Sequence, residues 1–419
     1  MGHKVEKKYL LFLLLFYTLL FNEPLSKICT LFGYEDELIA VLAIPIWLLD
    51  LSKKKQNKKY NIGVFPYIAS FILCTLLGTF IFHYQDFIKA SLPDMLLCAK
   101  FWLCIFFGKE YFKNFHLIEN AKHIYFHVKL VTWFYFLLSV VNYIFKIYPF
   151  FDYRYGLGAN RLFYSHPTVL ISCCSFLILI ILGLKPHIKS SLFYIILLSL
   201  TMCTTLRAKA IANVLIFVII YYFAAMKKDK FTIKSILPFI PLVAYIGWSQ
   251  IEYYFITIRE GSARAQLLLK SFEIAKDHFP FGSGFGTYGS YYSSVYYSPI
   301  YYKYGLNTIF GMSLDNHKFL CDSFWPMILG QSGFVGVTLY VIAIWKLFVY
   351  IVKLRKIDLY LFISAIGTVC YLLVDSTAAT AFVHPLSMPM AIWLGIIISY
   401  VQRYSILNGF KNEIINNKE

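Results

Sequence analysis

The run HPTVLISCCSFLILIILGL, residues 166–184, contains no Asp, Glu, Lys or Arg. At 1.5 Å per residue, a helix of that length reaches about 28 Å, close to the roughly 30 Å hydrocarbon core of a bilayer. Apolar residues fill every face, without the polar stripe that a surface helix of a soluble domain needs. The run reads as a transmembrane helix, and the rest of the chain repeats its character. The 419 residues are 59% hydrophobic and only 15% charged, with a mean hydropathy of +0.63. Too few charges remain to cover a soluble surface. Similar runs fall at about 8–22, 37–52, 62–83, 91–108, 128–148, 189–206, 210–226, 235–251, 322–349, 358–376 and 381–402. The sequence therefore predicts an all-α, polytopic integral membrane protein with about twelve transmembrane helices. The first run follows GHKVEKK without a small-residue cleavage site, and reads as a retained helix rather than a signal peptide.

The net charge of +17 does not point to nucleic acid, because the basic residues form short clusters between apolar runs. Such clusters set topology. Lys53-Lys54-Lys55, Lys227-Lys228 and Lys353 with Arg355 and Lys356 share one side if the N-terminus is cytoplasmic. Both termini are then expected in the cytoplasm. Lys100, Lys129, Lys146 and Lys346 fall in or beside apolar runs, and are expected to snorkel from helix ends. The division is into helices over 1–251, one large extracytoplasmic loop over 252–321, and helices with a cytoplasmic tail over 322–419. The nine cysteines form no CxxC pair and mostly sit inside apolar runs, where they read as small packing residues.

A loop of about 70 residues among short connections is functional or disordered. This one is rich in aromatics and glycine, so order is expected. Ser262 to His278 reads as a helix, with Ala263, Leu267, Ser271, Phe272 and Ala275 roughly on one face. Next, Gly284-Phe285-Gly286-Thr287-Tyr288-Gly289 fits GxGxxG. A dinucleotide loop needs a strand–turn–helix unit, and nothing before Gly282 reads as a strand. Gly284 and Gly286 instead allow backbone to approach a ligand or a neighbouring helix. Tyr288 opens a set of eight tyrosines within seventeen residues. Flat rings with hydroxyls at the rim suit sugars, and equally suit an interfacial aromatic belt. Both readings stay open.

Basic residues on the extracytoplasmic side run against the positive-inside bias and ask for a partner. Arg154 and Arg161 lie in a short loop, Arg207 and Lys209 at a tight turn between apolar runs, and Arg259 and Arg264 at the start of the long loop. Guanidinium groups suit phosphate oxygens. Asp322 heads an apolar run, either as an N-cap or as a carboxylate placed to take a proton from a hydroxyl. His317 and His166 are alternative bases. Asp94 and Asp375, at the edges of runs, read as structural polar partners. There is no HExxH or DxD motif and no His/Asp/Cys cluster, so neither a metal nor a cofactor is expected.

Three stretches, S-A-R-A from Ser262, F-P-F-G-S-G-F-G-T-Y from Phe279 and D-S-F-W-P-M-I-L-G-Q-S-G-F-V-G from Asp322, resemble the O-antigen polymerase and ligase superfamily. The resemblance implies a GT-C-like bacterial inner-membrane glycosyltransferase with a large extracytoplasmic loop. It implies polyprenyl-diphosphate-linked glycans as donor and acceptor, a chain-length regulator protein as partner, and no metal. The family's diphosphate-holding arginines match Arg207 in T-L-R-A-K-A and Arg264 in S-A-R-A, with Lys209 assisting. Ligases commonly carry H-N-x-x-L…E-x-G-x-x-G after the large loop. Here Asp322 stands in the His position and Gln331 in the acidic one, which favours polymerase over ligase. A lipid-linked glycan flippase is the less favoured alternative, because the spans are nearly free of charge and the polar residues collect on one face.

Overall fold

A computed structural model describes residues 7–52, 63–226, 252 and 262–416. The described chain is mostly helical, with a single two-residue hairpin among the described residues. Helices α1 (Lys7–Leu20) and α2 (Asn22–Ile28) meet at 83° around Phe21. They are followed by α3 (Glu35–Ser52), α4 (Phe65–Phe82), α5 (Leu92–Tyr111) and α6 (Ala121–Phe145). A two-residue antiparallel hairpin, β1 (Tyr153–Arg154) and β2 (Leu157–Gly158), precedes α7 (Pro167–Leu184), α8 (Ser191–Cys203) and α9 (Ala208–Met226). From residue 262 come α10 (Ala263–Asp277), the short α11 (Tyr291–Val295) and α12 (Pro299–Lys303), then α13 (Phe324–Leu354), α14 (Leu359–Asp375) and α15 (Ser387–Asn416).

A helix stands at each expected apolar run except 235–251, which lies outside the described residues. Among the described residues five helical stretches are long and apolar enough to cross a membrane: Phe65–Phe82, Phe87–Tyr111, Ala121–Phe145, Pro167–His187 and Phe324–Leu354. The bent α1–α2 pair makes six if it is one span. Helices α8 and α14 and the stretch Ala208–Tyr222 are apolar but shorter.

Helix α7, apolar on every face, is buried along nearly its whole length against α6, α8 and α14. Helix α5 packs between α3 and α15. Its crossing with α15 depends on two small residues. A Cβ at Gly108 would lie 2.3 Å from the Ile392 carbonyl oxygen, and one at Gly395 would lie 2.2 Å from that of Ile105. Helices in lipid gain little from hydrophobic burial against one another, so such close backbone packing is what holds them.

Lys100 departs from the snorkelling expectation. It is 1% exposed and forms ion pairs with Asp36 and, at 3.1 Å, with Glu37. The first turn of α3 carries three acids, and a buried ammonium beside them is held by charge rather than drawn out to water.

Residues 262–323 form a crown over one end of the bundle, with a small core of their own. Leu267, Ile274, Tyr288, Tyr297, Ile300 and Tyr301 meet there. The helix expected from Ser262 is present, capped by the Ser262 hydroxyl, and it buries Leu267, Ser271 and Ala275 as read from the sequence. Phe272 is left exposed. The crown is fixed to the bundle through a break in α13. Gly333 has φ +62°, outside helical geometry, so the ladder is interrupted. The carbonyls of Gly330 and Gln331 accept instead from the amides of Ser283 and Gly284, at 3.0 and 2.9 Å. Phe285 N–H donates to Thr79 Oγ1 and Gly286 N–H to Asp94 Oδ2.

Candidate functional site

Five separate stretches build a cationic recess at the crown end. The turn between α8 and α9 supplies Arg207 and Lys209. It is tied to the 146–166 loop by Asn160 N–H and to α6 by Tyr143 O–H, both of which donate to the Thr204 carbonyl. That tie brings Asp152 to 3.2 Å from Arg207, while Arg154 reaches the same carboxylate at 3.1 Å. The Arg207 guanidinium also lies 5.2 Å from the centre of the Phe151 ring. Lys209 pairs with Asp375 at the end of α14. Arg264, in the first turn of α10, reaches Asp322 at 3.5 Å and donates to the Ala378 carbonyl at 3.4 Å. Burial lowers the Lys209 ammonium to about 7, and the charge of Arg264 adds to that shift, so the two groups share one field.

Arg154 and Arg207 share one carboxylate, so cations exceed acids by one across these four pairs. The Arg154–Asp152 pair is open to solvent, and exposed pairs contribute about 0.2–1 kcal/mol, whereas Lys209–Asp375 is set deeper. Side-chain exposures of 15% for Arg207, 17% for Lys209 and 24% for Arg264 leave all three reachable. An incoming dianion can therefore compete with the carboxylates for these cations. Asp322 is not an N-cap: Ser323 occupies that position in α13, without a side-chain bond. Burial pushes the Asp322 carboxyl up, and Arg264 opposes the shift.

Two histidines complete the recess in the same way. His166 begins α7, and its Nδ1 accepts from Thr168 N–H at 3.2 Å. His384 lies between α14 and α15, and its Nδ1 accepts from Leu386 N–H at 3.3 Å. Each precedes a proline, and each bond leaves the ring proton on Nε2 of the neutral imidazole. Both are driven down to about 4. Burial is the main cause for each, followed by Arg207 and Lys209 for His166, and by Lys100 and Lys209 for His384. At neutral pH they are uncharged N–H donors.

The other expected residues lie elsewhere. Arg161 is bound to its own loop through the carbonyls of Pro149 and Ser165. His317 is exposed and bonded to the Leu314 carbonyl at 2.9 Å. Arg259 lies outside the described residues. Gly284, Gly286 and Tyr288 are buried at the seam between crown and bundle rather than beside the cations. A Cβ at Gly284, whose φ is +97°, would lie 2.6 Å from Thr79 Cα. Tyr288 donates to the Leu267 carbonyl at 2.6 Å. Their glycines and hydroxyl are used by neighbouring backbone, which leaves no surface for a ligand. Tyr291, Tyr296 and Tyr302 do remain exposed. Asp152 and His384 were not anticipated. The repeated His-Pro dipeptide, 166–167 and 384–385, each just ahead of a helix, was the available signal for the second.

Among the described residues no three His, Cys, Asp or Glu side chains gather as a metal-ligand set. Fold and site define a helical protein with five or six helices long and apolar enough to cross a membrane, and a cationic recess at one end of its bundle. The chain matches no model of a known protein family and no curated protein.

Proposed function

We propose that this protein is a glycosyltransferase of the plasma membrane that polymerises polyprenyl-diphosphate-linked oligosaccharide repeat units. In this reading about twelve helices span the bacterial inner membrane, both termini are cytoplasmic, and the crown faces outward. The observation that carries the proposal is the contact between Arg264 and Asp322 in the recess that also holds Arg207 and Lys209. It sets a carboxylate base beside groups that suit a diphosphate.

The acceptor hydroxyl attacks the anomeric carbon of the donor sugar, and Asp322 takes its proton. The bond from that carbon to the diphosphate oxygen breaks, and polyprenyl diphosphate leaves with the electron pair. Arg207, Arg264 and Lys209 neutralise the charge that develops on it. His166 and His384 add neutral N–H donors. One displacement inverts the anomeric centre. The diphosphate linkage already stores the energy, so no nucleotide is required.

The test is reconstitution with one defined polyprenyl-diphosphate repeat unit and no other acceptor. A ladder of lengthened lipid-linked products is expected, and an Arg207→Ala protein should lose it. Normal polymerisation by that variant would sink the diphosphate role. Transfer only after a lipid A core is added would replace polymerase by ligase. No transfer, with the lipid crossing a vesicle bilayer, would indicate a flippase.

A further inference from the structure

At the opposite end of the bundle, α6 and the turn between α7 and α8 enclose a second cleft of about 520 Å³, within the size range of small-molecule sites. Lys122, Lys129 and Lys189 line it with His187, and no acidic side chain does. Among the described residues none of the three lysines forms an ion pair. Its walls are fixed by Tyr125, which donates to the Lys189 carbonyl at 2.8 Å and meets Tyr194 edge-on at 5.6 Å. The Lys129 ammonium is held 5.3 Å from the centre of the Tyr125 ring. Ser190, also in the lining, precedes α8 and makes no side-chain cap, so the first amides of that helix add partial positive charge.

We propose that this cleft binds the headgroup phosphate of an anionic phospholipid. Three unneutralised ammonium groups call for an anion, and basic pockets at the ends of membrane helices suit such headgroups. The surface next to the cleft selects a lipid over free phosphate. On α6, Phe126, Leu130 and Trp133 are exposed, and on α8, Leu192, Phe193 and Ile196 are exposed. Trp133 and Phe193 touch across the two helices at 5.9 Å. An acyl chain has a continuous apolar track from the headgroup site. The site is remote from the recess and does not depend on the reaction proposed for it.

The test is native mass spectrometry of the full chain in neutral detergent, titrated with phosphatidylglycerol or phosphatidylcholine. Retention of phosphatidylglycerol over phosphatidylcholine is expected. It should fall about fivefold for each of Lys122→Gln, Lys129→Gln and Lys189→Gln, while the triple Lys→Arg variant retains it. The single variants carry the test, so failure of a triple Lys→Gln protein to fold does not remove it. Equal retention of the two lipids would overturn the proposal, as would wild-type retention in all three single variants. Displacement of the lipid by millimolar inorganic phosphate would overturn the choice of a lipid.

Discussion

Asp322 and Arg264 tune one another, so each should report on the other in a pH profile. Burial raises the Asp322 carboxyl and Arg264 lowers it. A base works only when deprotonated, so activity should rise with pH through its pKa. Arg264→Gln removes the lowering charge, and the acid limb of kcat/KM should move to higher pH. An unmoved limb would exclude Asp322 as the base. Asp322→Asn should cost about a hundredfold or more in kcat. His166 and His384 give a prediction for stability rather than rate. Their folded values of about 4 lie below the ordinary 6.5, so the unfolded chain binds these protons more readily. Their contribution is complete above pH 6.5 and is lost as pH falls toward 4. Thermal unfolding in detergent at pH 7.5 and 4.5 should show a smaller acid loss for the His166→Gln/His384→Gln protein than for wild type. Equal losses would contradict the burial assigned to the two rings.

At the scale of elements, the seam between crown and bundle depends on backbone passing close to backbone. Gly284→Ala combines a positive φ with a 2.6 Å clash against Thr79 Cα, and should destabilise the crown by about 1–3 kcal/mol. Gly305→Ala is the control, with φ +70° but open space around its Cβ. Faster proteolysis within 262–323 is expected for the first variant, and much less change for the second. Helix positions were legible because long apolar runs leave few alternatives. The helix from Ser262 was legible from its periodicity. The destination of the glycine loop was not, since GxGxxG records only that bare backbone is needed and not what approaches it. Here the approaching groups are Thr79 and the broken turn at Gly333, remote in sequence. Likewise, charge alone singled out Arg207 and Arg264, and Asp322 was singled out by its place at the head of a run. Asp152 was not legible because its contact with Arg207 spans 55 residues.

For the whole molecule, the proposed orientation places the crown and the lysine-lined cleft on opposite sides of the membrane. In a Cys203→Ser background, which removes an exposed natural thiol, Thr308→Cys should react with an impermeant maleimide in intact spheroplasts. Lys189→Cys should react only after permeabilisation, and the reverse pattern would invert the topology. The buried union of Lys100 with Asp36 has a consequence at synthesis. The two partners are 64 residues apart, and α3 leaves the ribosome first. At roughly 5–20 residues per second, Asp36 waits several seconds for its counter-ion. The amino-terminal helices therefore cannot settle into their final places until α5 has been inserted. Loss of that lysine would leave the Asp36 carboxylate buried without its counter-ion after α5 is in place.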